Sequence, residues 1–175
     1  RTWARKACPQ ESALRFSPDS ESIRAAQLVL QYVTSKPVAA VYLQDYLGHG
    51  LRVLQYKKAG LGLADVPCAV TLHSSQQWIR EGMQVMPTSF NDLVLDFQER
   101  ESAELADRVI SPSRHMADWA ASRWGLSSRR IDVVPYCFEE PAAALAQVRH
   151  EGFDHLIFFG RLETRKGLHF LLDAL

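Results

Sequence analysis

The chain alternates short apolar runs with segments of helical periodicity, and this alternation restricts the possible folds more than any other feature of the sequence. The apolar runs, rich in β-branched residues, lie at 38–43, 68–72, 107–111, 131–135 and 156–159. Because apolar residues are continuous within each run, we predict parallel strands covered on both faces. Strands that take turns with helices indicate an α/β fold with a doubly wound parallel sheet and right-handed crossovers.

Residues 89–106 carry the signals of an amphipathic helix. Ser89 and Asp92 have the spacing of a capping box. The apolar positions predict a buried stripe made of Phe90, Leu93, Val94 and Phe97.

Two further helices are predicted at 21–34 and 113–124. In the second, Ser113 is a candidate N-cap, and Gly125 stands where a C-cap glycine belongs. Its predicted buried stripe consists of Met116, Trp119, Ala120 and Trp124.

Two stretches interrupt the alternation. Residues 74–88 have weak periodicity, a glycine and a proline, so we expect either an ordered surface loop or a mobile lid. Residues 136–150 contain Pro141 and an alanine-rich part, and we interpret them as a crossover out of the first domain. Residues 155–175 would then begin a second domain with a strand, a basic loop and a helix.

Composition excludes several classes of protein. The hydrophobic share is 47% and the charged share 23%, as in an ordinary globular protein. Twenty basic residues balance twenty acidic ones, so no overall field favours nucleic acid. No apolar run approaches the roughly 18 residues of a membrane span. Three widely spaced cysteines without a CxxC pair argue against a disulfide scaffold or a zinc site, and favour a reducing cytosol.

In an open parallel sheet, ligands bind beyond the carboxyl ends of the strands. This rule selects the polar residues that follow the predicted strands: Asp45, His73, Ser111, Ser113, Gly160 and Arg161. The imidazole of His73 can hold a hydroxyl group or move a proton near neutral pH, with Ser74 next to it. The alternative is a structural histidine that fastens the loop. Asp45 and His49 could line the same crevice, but they also fit plain loop chemistry.

The basic loop near the carboxyl end fits an anion. Arg161 can bind two diphosphate oxygens at once, and Lys166 adds a point charge. The N–H groups at the start of the predicted helix 167–175 would add donors. The alternative is a solvated basic turn. GxGxxG, GxxxxGK[ST] and a serine-hydrolase elbow are absent from the sequence, which leaves a dinucleotide oxidoreductase, a P-loop protein and a serine hydrolase unsupported.

Four segments in order resemble one enzyme family. They are TLHS, ELADRVISPSRHMADW, IDVVPY and FFGRLETRKGLHFLLDAL. Over residues 38–175 the chain is similar to the retaining glycosyltransferases of the GT-B type known as group 1 or family 4. The final motif, G-R-L-x-x-x-K-G-x-x-x-L-L-x-A at 160–174, is the most specific part.

The resemblance implies two Rossmann-like domains facing a cleft. Residues 1–140 would form the N-terminal, acceptor-side domain, and 141–175 the crossover and start of the C-terminal domain that binds the nucleotide sugar. His73 falls on the family's histidine beside the transferred sugar. Arg161 and Lys166, with Gly160, fall on the part that contacts the donor diphosphate. The family needs no bound metal and no further cofactor.

The chain departs from the family pattern in three ways. The glycine-rich loop and first strand of the N-terminal domain are absent. Tyr136 and Cys137 stand where the family usually has asparagine and glycine. Most of the C-terminal domain, with its paired glutamates, is also absent. We therefore expect the chain to be a piece of a longer protein, and the isolated 175 residues to show little or no turnover.

The expected function of the parent is transfer of a sugar, with retention, from a nucleotide diphosphate sugar to an acceptor hydroxyl. The acceptor, a carbohydrate, lipid or small molecule, is not readable from the sequence. A GT-B-fold nucleotide-sugar epimerase and a non-catalytic GT-B scaffold are the alternatives. Asp45, His49 and Ser74 are candidate acceptor-side residues. A cytoplasmic location is expected, and residues 78–86 are a candidate contact with the inner membrane face, although a lid-like loop explains them equally well.

Overall fold

The computed structural model describes residues 18–137 and 155–175. The helices in these ranges are α1 (Pro18–Ser35), α2 (Leu51–Lys58), α3 (Gln76–Met83), α4 (Phe90–Leu105), α5 (Arg114–Trp124) and α6 (Leu168–Asp173). The strands are β1 (Val41–Gln44), β2 (Cys68–Thr71), β3 (Arg108–Ser111) and β4 (Ile131–Val133). Short 3₁₀ turns lie at Tyr46–Gly48, Ser128–Arg130 and Thr164–Lys166.

The four strands form one parallel sheet in the order β1-β2-β3-β4. Val41 pairs with Cys68, Val70 with Val109, and Val109 with Ile131. β2, β3 and β4 lie within the apolar runs that predicted them, and β1 overlaps its run and extends one residue beyond it, to Gln44. The predicted α/β fold with a parallel sheet is confirmed, and it is consistent with a Rossmann-like N-terminal domain of the GT-B type.

Within residues 18–137 and 155–175, one face of the sheet is buried, where the sequence predicted two. Val41, Val70 and Val109 are buried, whereas Tyr42, which follows Val41 and points to the other face, is 71% exposed. Helices α1, α2 and α4 pack on one another on the buried side, and α5 adds Met116 to the same core. The reason is topological, because right-handed crossovers between strands in sequential order place their helices on a single face.

The predicted caps are confirmed. Ser89 accepts a hydrogen bond from the N–H of Asp92, and the carboxylate of Asp92 accepts one from the N–H of Ser89, which completes the capping box of α4. Ser113 caps α5 through the N–H of Met116, and Gly125 ends that helix in the left-handed conformation.

The buried face of α4 differs from the predicted one. Phe90 is 78% exposed, Leu93 53% and Phe97 47%, so the predicted apolar stripe largely faces outward. The helix instead buries a small and polar set made of Gln98, Glu99, Ser102 and Ala103. The turn that contains Gly48 packs closely against this face of α4, since a Cβ added to Gly48 would lie only 2.3 Å from the Cβ of Gln98.

Part of the predicted loop at 74–88 is a helix. Ser75 caps α3 by accepting a hydrogen bond from the N–H of Trp78, and Gln84 ends the helix in the left-handed conformation. Residues 85–89 remain outside regular structure. The long-loop prediction was wrong because α3 has only eight residues, too few for its periodicity to stand out.

The fifth predicted strand, at 156–159, is not formed. Ile157 is 83% exposed and Phe159 is 99% exposed. A parallel strand requires a neighbour for its hydrogen bonds, and the sheet that the structure describes ends with β4. The proposed domain boundary at 140/141 and the crossover residues 138–150 lie outside the described residues.

Among the helices of residues 18–137 and 155–175, none combines the length and the apolar character needed to cross a bilayer.

Candidate functional site

The carboxyl ends of β1 and β2 are joined by a buried carboxyl group. Asp45 directly follows β1 and is fully buried. Its Oδ1 accepts a hydrogen bond of 2.9 Å from the N–H of His73, and its own N–H donates to the carbonyl of Thr71 at 3.1 Å. Burial raises the pKa of Asp45, and the backbone N–H groups of Tyr46, His73 and Ser74 oppose that rise. The carboxyl group therefore fixes the backbone from which the imidazole projects.

His73 presents an exposed imidazole at this edge of the sheet. Its Nδ1 lies 2.8 Å from the hydroxyl of Tyr136, and the two rings meet edge to face at 6.3 Å between centroids. Tyr136 follows β4, whose end is tied to β3 by the N–H of Val134 donating to the carbonyl of Ser111. With Nδ1 engaged, Nε2 has no hydrogen-bond partner among the residues of 18–137 and 155–175. This nitrogen is the one left for a ligand.

The other strand-end residues differ in their hydrogen-bond partners. Ser74 is half-buried, and its N–H bonds to Asp45. His49 is half-buried beyond the 3₁₀ turn, and its carbonyl is 3.5 Å from the hydroxyl of Ser22. Ser111 and Ser113 serve the backbone, since the hydroxyl of Ser111 donates to the carbonyl of Ser113 at 2.8 Å.

The basic loop packs against α3. The guanidinium of Arg165 donates to Glu163 at 2.7 Å and stacks over the ring of Trp78 at 5.6 Å. Arg161 is exposed and pairs with the other oxygen of Glu163 at 3.1 Å. Gly160 is exposed next to it.

Lys166 lines a pocket of about 400 Å³ between α3, α5 and this loop. The lining consists of Trp78, Glu81, Gly82, His115, Trp119, Arg165 and Lys166. Neither Arg161 nor His73 belongs to that lining. Hydrogen bonds bring Asp45, His73 and Ser74 together, whereas within residues 18–137 and 155–175 no hydrogen bond joins them to Arg161 or Lys166.

The helix predicted at 167–175 is present as α6, and it is preceded by Gly167 in the left-handed conformation. Arg165 and Lys166 lie in a 3₁₀ turn directly before it.

Sequence reasoning missed two residues of this region, Tyr136 and Glu99. Tyr136 follows the fourth predicted strand, so applying the strand-end rule to that strand would have selected it. Glu99 had a weaker signal: at helical spacing it shares a face with Leu95, Ser102 and Ala103, which places a carboxylate among apolar and small residues.

Glu99 is a fully buried carboxyl group in the middle of α4. Its Oε1 accepts the N–H of Leu47 at 2.8 Å, and its Oε2 accepts the N–H of Gln76 at 2.7 Å. Burial, reinforced by the carboxyl groups of Asp45 and Asp96, raises the pKa of Glu99 to about 8. Within the described part of the chain it forms no ion pair with a cation.

Comparison with known proteins identifies the family. A family model described as a glycosyl transferase 4-like domain matches residues 2–137, which is more than half of the chain. The chain belongs to this family. No curated protein shows significant similarity to it.

The glycosyl transferase 4-like domain contains Asp45, His73, Glu99 and Tyr136, whereas Arg161 lies beyond its matched range. The family assignment confirms the coarser part of the resemblance, a glycosyltransferase. It also implies a sugar donor and an acceptor in general terms. In the part of the chain that the structure describes, no three His, Cys, Asp or Glu side chains are grouped as metal ligands would be.

Proposed function

We propose that this glycosyl transferase 4-like chain is the acceptor-side part of a retaining GT-B glycosyltransferase. The enzyme would move a sugar from a nucleotide diphosphate sugar to an acceptor hydroxyl. The observation that carries the proposal is the exposed imidazole of His73, whose backbone is tied to Asp45 at the carboxyl edge of the sheet. This edge is where parallel α/β sheets bind their ligands.

His73 would act on the sugar through Nε2. The contact with Tyr136 engages Nδ1, and the direction of that hydrogen bond depends on the tautomer of the imidazole. If Nδ1 accepts from the hydroxyl, then Nε2 carries a proton and can donate to a sugar oxygen. A group placed in this way lowers the barrier when its hydrogen bond strengthens in the transition state.

Arg161 and Lys166 would receive the donor diphosphate. Negative charge develops on the diphosphate as the glycosidic bond breaks, and fixed cations stabilise that charge. Arg161 now pairs with Glu163, and its exposed guanidinium is free to exchange this carboxylate for phosphate oxygens. Gly160, without a side chain, leaves room for a ligand beside Arg161.

Asp45 would support the acceptor side through the backbone. Its carboxyl group is fully buried, so its effect on an acceptor would pass through the loop that holds His73 and Ser74. His49 and Ser74 are the half-buried members that an acceptor hydroxyl could approach. The remaining part of the donor site would come from beyond this chain, so the 175 residues alone should show little turnover.

Donor binding and transfer test the proposal on the longest polypeptide that carries this sequence. Calorimetric titration with a panel of nucleoside diphosphates and their sugar derivatives should give saturable binding. Anomeric NMR of the product should show retention. His73→Ala should lower kcat more than it raises KM, whereas Arg161→Ala and Lys166→Ala should weaken donor binding. Arg129→Ala, at an exposed arginine in the 3₁₀ turn before β4, is the control. Failure of every donor in the panel to bind or react would overturn the proposal.

A further inference from the structure

One buried side chain joins the two loops at the candidate site. The two oxygens of Glu99 accept the N–H groups of Leu47 and Gln76, which lie 52 and 23 positions away in sequence. Leu47 belongs to the turn after β1, and Gln76 begins α3 after β2. A single carboxyl group therefore fastens both segments to α4.

Both of these N–H groups need a partner. Leu47 adopts a left-handed conformation, with φ of 59°, which is unfavourable for a leucine and persists only where surrounding contacts impose it. Gln76 is the first residue of α3, so its N–H has no partner within the helix. Glu99 supplies an acceptor to each.

The two buried carboxyl groups hold the backbone at His73 and at a position shortly after it. Asp45, two residues before Leu47, holds the N–H of His73, and Glu99 holds the N–H of Gln76, three residues after it. The segment 73–76 is thus fixed at both ends by carboxyl oxygens. Movement of either end would carry the imidazole away from Tyr136.

A buried carboxyl group at residue 99 fits a role in positioning the loops better than a role in packing the core. A fully buried carboxyl group without a cationic partner is unfavourable, and a leucine of similar size would be buried at lower free-energy cost. What a leucine lacks is two acceptors 2.7–2.8 Å from backbone N–H groups of different loops.

We propose that Glu99 is a positioning residue, which sets the place of the His73 imidazole by tying the turn after β1 and the start of α3 to helix α4. The importance of this for catalysis rests on the proposed function of His73. The mechanical part, the fixing of both loops, does not depend on it.

Amide hydrogen exchange on the full 175-residue chain tests the mechanical part. In Glu99→Leu, exchange of the Leu47 and Gln76 amides should accelerate by about tenfold or more, the loss expected for a hydrogen bond to a buried acceptor. The amides of Val70 and Val109 in the core should keep their rates. Glu104→Gln, at an exposed position on the same helix, is the control. Equal acceleration at the core amides, or none at the two loop amides, would overturn the proposal.

Glu99→Gln keeps the test decisive if the leucine variant does not fold. A glutamine has one acceptor oxygen, and its NH₂ group cannot accept, so only one of the two loop amides should accelerate. The NMR chemical shifts of the His73 imidazole should change in the same variant and stay fixed in Glu104→Gln. Unchanged exchange rates at both amides, together with unchanged imidazole shifts, would count against the role of Glu99.

Kinetics on the longest polypeptide separates this inference from the proposed function. If Glu99 acts through His73, Glu99→Gln should lower kcat by about tenfold, and the double variant with His73→Ala should be no slower than His73→Ala alone. A rate effect of His73→Ala with none of Glu99→Gln refutes the positioning role only. Accelerated loop exchange with no rate effect of His73→Ala refutes the function of His73 and leaves the mechanical role standing.

Discussion

The carboxyl group of Asp45 accepts the backbone N–H of His73 at 2.9 Å, which joins the ends of β1 and β2 across 28 positions of sequence. The bond holds the main chain and leaves the imidazole exposed. The hydrogen bond restrains the backbone of His73, and the contact of its imidazole with Tyr136 then restricts the ring. Rigid support of this kind distinguishes a preorganised group from a mobile surface histidine.

Removal of the Asp45 carboxyl group should destabilise the fold. Asp45→Ala removes the acceptor of the His73 N–H in a part-buried hydrogen bond, and such a loss typically costs about 1–3 kcal/mol. Urea denaturation measures the free energy of unfolding. Asp65→Ala, at an exposed loop position, should leave it nearly unchanged. Equal stability of the two variants would contradict the structural role of Asp45.

The stability of the protein should fall as pH rises from about 5 to 8, in part through Glu99. Its pKa is 4.5 in an unfolded chain and about 8 in the fold, so between these values the folded state holds a proton that the unfolded state releases. Stability decreases with pH wherever the folded state binds more protons, with a slope approaching about 1.4 kcal/mol per pH unit for one group.

Glu99→Gln tests this slope. Asp45 and Asp96 face Glu99 and reinforce its proton affinity, and Asp96 is itself paired with Arg80. Asp45, whose pKa is also raised, contributes in the same direction and remains in the variant. Denaturation from pH 5 to 8.5 should therefore show a flatter profile for Glu99→Gln. Parallel profiles would show that Glu99 does not titrate in this window.

Gly48→Ala should be far more destabilising than Gly125→Ala. Both glycines have positive φ, +58° and +69°, so both substitutions incur the left-handed penalty of about 1–2 kcal/mol. At Gly48 the new Cβ would also lie 2.3 Å from the Cβ of Gln98, whereas at Gly125 it meets open space. We expect the first variant to lose at least about 2 kcal/mol more in the free energy of unfolding. Thermal denaturation showing the same loss for both would mean that the turn does not pack on α4 as described.

Ser89→Ala should destabilise the start of α4. The hydroxyl of Ser89 accepts the N–H of Asp92, and the loss of such an N-cap typically costs about 1 kcal/mol. Ser127→Ala is the matched control, because Ser127 precedes a 3₁₀ turn without a side-chain capping bond. Circular dichroism during urea unfolding compares the two variants. A larger effect at Ser127 would reverse the expected order.

The sequence predicted the positions of most helices and strands, but it did not predict which of their faces would be buried. Ser89, Ser113 and Gly125 were predicted as helix ends and lie there, because a cap depends on atoms within a few residues of it. The prediction that Phe90 and Phe97 face the core was wrong. Helical spacing shows which residues share a face, but it does not show what packs against that face.

The sequence by itself determined the alternation of strands and helices, the caps, and the residues at the strand ends, since all of these follow from local backbone chemistry. Only the tertiary structure decided that one face of the sheet is buried among the described residues, that Tyr136 contacts His73, and that Glu99 joins two loops. The contacts of Tyr136 and Glu99 join residues 23 to 63 positions apart in sequence, and such residues come together only when the sheet has formed.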